Sequence, residues 1–257
     1  MECPTQYKTE DNVWVSPMYY KGDLRIHDTG ITSLGLLQHV VGALVAGDVK
    51  SLVDLGDLVK VDRNLHLVGT SIRTLGKVCT VDGYVDCAEV RTLVDLGALE
   101  IVLGYLDITG TSVTSLGSLK KLGGSLYIYG LRGLKAITGL ESVAILSAAN
   151  TGLRTLGSLQ QASRIDLTGS DELSDLGDLE EVETNINLTG TNVRSLGKLK
   201  EFETITLDPG STYTQKEFEA VVGRLRNVPT DKIQNYLYAD EYSHPLFQEI
   251  LLTKQEA

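Results

Sequence analysis

Apolar residues recur along this chain at fixed offsets, and the offsets are clearest between Leu103 and Leu122. Leu106 and Ile108 alternate with Asp107 and Thr109, which predicts a short strand with one buried face. Gly110 and Thr111 then turn the chain, and the apolar spacing lengthens from two to three through Val113, Leu116, Leu119 and Leu122. The same arrangement returns as ten apolar pairs: Leu24/Ile26, Leu44/Ala46, Leu65/Leu67, Val85/Cys87, Leu106/Ile108, Leu126/Ile128, Leu146/Ala148, Ile165/Leu167, Ile186/Leu188 and Ile205/Leu207. Successive pairs lie 19 to 21 residues apart. A period near 20 is too short for a helix pair and fits one turn of a β-solenoid. Each turn then touches only its neighbours, so one elongated domain runs the length of the array.

A second rhythm lies over the first. Most turns end in Leu-Gly, at Gly35, Gly56, Gly76, Gly97, Gly117, Gly157, Gly177 and Gly197, with Gly139 one place late in the sixth. Odd turns carry Ser33, Thr74, Ser115, Thr155 or Ser195 before it, and three even turns carry Asp54, Asp95 or Asp175. Odd turns also hold Thr29, Thr70, Thr111, Thr151 and Thr191 five residues after the first strand residue. A pair of turns, about 41 residues, therefore reads as the duplicated unit.

Leu103-x-x-Leu106-x-Ile108-x-x-Thr111-x-Val113 resembles the leucine-rich repeat pattern, over roughly residues 23–208. The resemblance implies a solenoid with a parallel sheet on one face and protein binding on that face. Its short turns are similar to compact bacterial and phage-type repeats. The family's turn asparagine, which stacks into a ladder bonding the turn backbones, is here Thr, whose hydroxyl replaces it only partly. The remaining spacing is too short for a long convex helix and predicts short 3₁₀ turns or extended segments. A true parallel β-helix is the alternative architecture.

The ends depart from the repeat. Residues 1–22 hold the single Trp, Trp14, beside Val13, Val15, Tyr19 and Tyr20, and are read as an N-terminal cap over the core. Residues 23–208 form the solenoid. In 209–257, Thr214-x-x-Glu217 has the capping-box pattern, with Phe218, Val221, Val222 and Leu225 following at helical spacing. Ile233, Tyr236 and Leu237 mark a second helix. Leu246, Phe247, Ile250 and Leu251, after His244-Pro245, mark a third. These helices are expected to cap the last turn, with self-association through them as the competing role.

Composition narrows the partners. The net charge of −11 disfavours nucleic acid and anionic membrane, and no apolar run approaches a spanning helix. The N-terminus lacks a basic region followed by an apolar one, so a cytoplasmic chain is expected. Cys3, Cys79 and Cys87 are too few and too scattered for a disulfide framework. With no CxxC spacing and no phosphate loop, no metal and no cofactor are expected.

Candidate chemistry lies on the outward strand positions, which line up in rows because neighbouring strands sit about 4.8 Å apart. Tyr84, Tyr105, Tyr127 and Tyr129 converge in the middle, with His66, Asp86, Asp107 and Arg164 around them. Aromatics gathered on a polar sheet with charges at the rim point to a protein-binding surface. Asp86 and Asp107 fall side by side and could serve a carbohydrate-active β-helix enzyme, yet no accompanying acid, nucleophile or substrate-binding base is evident. The expectation is a non-enzymatic interaction module, an antagonist of a host or competitor protein being one form of it.

Overall fold

A computed structural model describes residues 8–27, 30–237 and 239–255; Cys3 and Thr29 lie outside the described residues. The ten apolar pairs become ten parallel strands of one sheet, from Leu24–Arg25 in coil 1 to Glu201–Asp208 in coil 10. Registration is in phase: Val85 pairs with Leu106 and Asp86 with Asp107. The first residue of each pair and its partner two positions on are buried, while the residue between them faces outward. This is the alternation the sequence predicts, and it makes the protein a β-solenoid.

A second parallel sheet of six strands runs from Tyr19–Lys21 to Lys121–Leu122. The two sheets meet at a corner carrying Gly22, Gly42, Gly83, Gly104 and Gly124, with Arg63 in the third coil. The corners stack so closely that a Cβ on Gly42 would lie 2.2 Å from the carbonyl oxygen of Gly22. From coil 7 onward the glycine is gone and one strand turns through both faces, as in Ser142–Ser147 and Glu181–Asn187. Extended segments thus occupy the side where either these or 3₁₀ turns were expected. Among the described residues, 3₁₀ turns occur at Thr230–Lys232 and Asp240–Tyr242, outside the coils.

The third side of each coil is held by the Ser/Thr/Asp-Leu-Gly segments. The side chain of Ser33, Asp54, Thr74, Ser115, Thr155, Asp175 or Ser195 accepts the N–H of the glycine two residues on, at 2.9–3.1 Å. In two places the odd-coil hydroxyl also donates to the even-coil carboxylate, Ser33 to Asp54 at 2.7 Å and Thr155 to Asp175 at 2.9 Å. A hydroxyl facing a carboxylate needs two coils to complete, which gives the 41-residue rhythm a physical basis. The buried Thr70, Thr111 and Thr191 act differently, each donating to the carbonyl three residues back in its own coil. Thr151 instead shares its hydroxyl with Ser170 of the next coil at 2.9 Å.

One continuous apolar core extends from Trp14 to Leu251. Trp14 is fully buried, meets Tyr20 edge-on and donates its indole N–H to the carbonyl of Pro17. At the other end Ser211–Thr214 closes the sheet edge antiparallel to the tenth strand. Helix α1 (Gln215–Arg226) begins with the predicted reciprocal box: Glu217 N–H donates to Thr214 Oγ1 and Thr214 N–H to Glu217 Oε2. Phe218 packs against Phe202 of coil 10 and against Phe247 of helix α3 (Pro245–Gln255), with α2 (Ile233–Leu237) between α1 and α3 in sequence. No helix among the described residues is long and apolar enough to cross a membrane.

Candidate binding face

The outward residues of the ten-strand sheet form three rows across the coils. In the first, Tyr84 and Tyr105 are stacked, with ring centroids 4.6 Å apart and 6° between planes. Tyr127, in the second row and the next coil, meets Tyr105 edge-on at 5.9 Å and 80°. Both arrangements suit the ring quadrupole, and the in-phase strands hold them. Burial, with the Asp86 charge second, pushes the Tyr105 hydroxyl up to about 12, so it stays a neutral hydrogen-bonding group at ordinary pH.

The remaining candidates fall around this trio. Tyr129 is half exposed in the third row and receives a long hydrogen bond from Asn150 at 3.4 Å, apart from the ring stack. Arg164 is exposed two coils beyond Tyr127, in register with Ile145, and is not part of the aromatic contact. His66 lies beside Asp86, its Nδ1 3.0 Å from Asp86 Oδ2. The carboxylate accepts, so Nδ1 is the donor of this contact.

The acidic pair has a structural duty that the sequence did not disclose. Asp86 Oδ1 accepts the N–H of Ala88 at 3.2 Å, and Asp107 Oδ1 that of Thr109 at 2.9 Å. Asp166 and Asn187 do the same for Thr168 and Thr189. These donors lie where the backbone leaves the sheet, and an Asx-type bond satisfies them. Acid or amide followed two residues on by Thr or Ala, repeated down one row, is the signal that could have revealed it. Asp86 and Asp107 are in register on adjacent strands, as predicted, with both oxygens of Asp86 and one of Asp107 already engaged.

Cys87 points inward and is fully buried, and burial raises its thiol pKa far above the ordinary range, which suppresses thiolate chemistry. No group of three or more His, Cys, Asp or Glu among the described residues is placed to hold a metal ion. Phe247, in the helices considered for self-association, is fully buried, while Tyr236 and Tyr242 are half-buried against one another.

A further feature appears at the N-terminal end of the face. Coil 2 turns only Ala43, Val45 and Gly47 outward, and the sheet dips there into a depression of about 310 Å³. Its rim includes Arg25, Arg63, Asn64, His66 and Tyr84. Compared with protein-family models, with curated proteins and with solved structures, the chain finds no match.

Proposed function

We propose that the chain is a non-catalytic, leucine-rich-repeat-like interaction module that binds a partner protein through its ten-strand face, centred on Tyr84, Tyr105 and Tyr127. The observation that carries this reading is the aromatic stack: three half-buried rings held against one another on the outer face of the sheet. Preassembled aromatics lose little side-chain freedom on binding, and interface energy concentrates in such residues. Tyr129, His66, Asp86, Asp107 and Arg164 supply the rim, where charges steer association more than they tighten it. An antagonist that occupies a functional surface of a host or competitor protein, in a bacterial or phage setting and in the cytoplasm, is the form of this activity that the repeat style suggests.

The test is affinity capture from native cells, identified by mass spectrometry, with wild type and the Tyr105→Ala/Tyr127→Ala double variant as bait. Circular dichroism and melting temperature should be nearly unchanged, and capture of the partner should weaken about a hundredfold, two residues at roughly 1.4 kcal/mol per tenfold. Equal capture of the same partners by both baits would refute the tyrosine face as the binding surface.

A further inference from the structure

The depression over coil 2 has a lining chemically unlike the rest of this acidic protein. Its floor is Ala43 and Val45, and one side is closed by His66 and Tyr84. The His66 ring leans over Gly47, where a Cβ would lie 3.1 Å from Nε2. Tyr84 gives one ring face to Tyr105 and lines the depression from coil 4.

The acidic groups at the rim are already engaged. Asp23 Oδ1 accepts the N–H of Ala43 at 2.9 Å, and Asp86 holds His66 and the N–H of Ala88. Asn64 Oδ1 accepts the N–H of Tyr84, which leaves its NH₂ to donate. Arg63, the one non-glycine among the early corners, reaches Asp23 at 3.8 Å and is 71% exposed. Around the floor stand guanidinium and amide donors with an aromatic face beside them. Such a lining suits a ligand that presents a carboxylate to the donors and a C–H face to the ring.

A bound peptide strand has nothing to pair with at this place. The backbone groups of the floor are spent in the sheet, with Leu24 N–H on Ala43 O, Ile26 N–H on Val45 O and Ala46 N–H on His66 O. Recognition there is by side chains alone. The volume is at the lower end of ordinary ligand sites, which run about 300–1,000 Å³. A second depression of about 350 Å³ shares Asp23 and Arg63 and continues over the Gly22–Gly42 corner, giving room for a neighbouring unit.

We propose that the coil-2 depression is a binding site for a uronic acid, a sugar ring bearing a carboxylate, as a monosaccharide or as one unit of an acidic oligosaccharide. The ring packs on Tyr84, the carboxylate faces Arg63, and the hydroxyls meet Asn64 and the His66 ring. This site shares Tyr84 and His66 with the proposed protein-binding face, and Arg63 and Asn64, which lie outside that face, are the residues that tell the two apart. Because the whole chain is acidic, the local attraction operates over a short range and added salt weakens it.

The test titrates the full chain, labelled for NMR, with sodium glucuronate, with glucose and with N-acetylglutamate amide. Glucuronate should give saturable shifts centred on coils 1–4. Arg63→Ala should weaken binding about tenfold, the loss of one charge-assisted contact. Val45→Tyr, which fills the floor with a residue suited to an exposed strand, should abolish it with the melting temperature unchanged. Equal binding of glucose would overturn the proposal by removing the carboxylate from recognition. Equal binding of N-acetylglutamate amide would overturn it in favour of an acidic peptide, and no binding by any of the three would overturn it outright. Arg63→Ala should still capture the partner of the tyrosine face, so failure at one site is distinguishable from failure at the other.

Discussion

Thr155 donates its hydroxyl to Asp175 one coil away at 2.9 Å, and each of the two side chains also accepts the N–H of the glycine two residues further on. One residue pair thereby satisfies two turn donors and ties adjacent coils. Thr155→Ala should lose both contacts and destabilise by about 1 kcal/mol, the usual scale for a partly exposed capping bond. Thr155→Ser keeps the oxygen and should lie within about 0.5 kcal/mol of wild type. Urea midpoints of the two variants check this, and equal loss would show that the methyl group rather than the hydroxyl matters.

Ile108 and Asp107 test the strand from its two faces. Ile108 is fully buried and Asp107 half exposed. Ile108→Ala should cost about 2–5 kcal/mol by opening a cavity in a narrow core. Asp107→Ala should cost about 0.5–1.5 kcal/mol, because the Thr109 N–H loses its acceptor. Asp107→Asn, which keeps an acceptor oxygen, should be nearly neutral. If Asp107→Ala equalled Ile108→Ala in denaturant melts, the inward and outward assignment would be wrong.

Gly157 and Gly197 separate backbone strain from steric collision. Both have φ near +60°, but a Cβ on Gly157 would lie 2.0 Å from the carbonyl oxygen of Ile137, whereas one on Gly197 meets nothing within 4 Å. Gly197→Ala should cost about 1–2 kcal/mol, the left-handed backbone penalty alone. Gly157→Ala should cost clearly more, because the coil above must shift. Melting temperatures of the two single variants decide it, and similar values would mean that the stack yields freely.

Alkaline titration should distinguish two tyrosines. Tyr105 is held up to about 12 from its ordinary 10.0 mainly by burial, and Tyr242 to about 12 mainly by its hydrogen bond to Glu241. A raised folded-state value means the neutral form is favoured in the fold. That stabilisation is complete below pH 10 and is lost as pH rises through about 12. Tyr105→Phe should therefore lessen the fall in stability over that window, and phenolate absorbance should lose one late-titrating group. An unchanged absorbance curve would contradict the assignment.

His244 predicts a loss at the acidic side. Its Nδ1 accepts the N–H of Leu246, its Nε2 faces the carbonyl of Leu188 at 3.3 Å, and burial holds its pKa below the ordinary 6.5. A lowered histidine contributes stability above pH 6.5 and loses it as pH falls through the folded-state value, because the unfolded chain takes the proton first. The C-terminal helices should loosen from coils 9 and 10 on acidification, seen as faster amide exchange in α3. His244→Asn can still accept the Leu246 N–H and should flatten that pH dependence whatever its effect on baseline stability.

Much of this protein was determined by its sequence alone. The ten inward pairs, such as Leu106/Ile108, and the outward rows between them follow from strand alternation, which is a property of consecutive residues. The capping box at Thr214 and Glu217 and the apolar faces of the C-terminal helices are equally local. The sequence also placed Tyr84, Tyr105 and Tyr127 near one another, because a constant period converts positions about 20 apart into neighbours.

Tertiary structure alone decided what those neighbours do. Whether Tyr84 stacks on Tyr105, whether Asp86 meets His66, and whether Ala43 and Val45 leave a hollow all depend on side chains one coil apart. So does the second sheet, where every stacked corner but that of Arg63 is glycine until coil 7 straightens the chain. Period and alternation specify where a residue stands in the coil. Distances of 3 Å between coils, set by packing and by which backbone donors remain unpaired, decide its role.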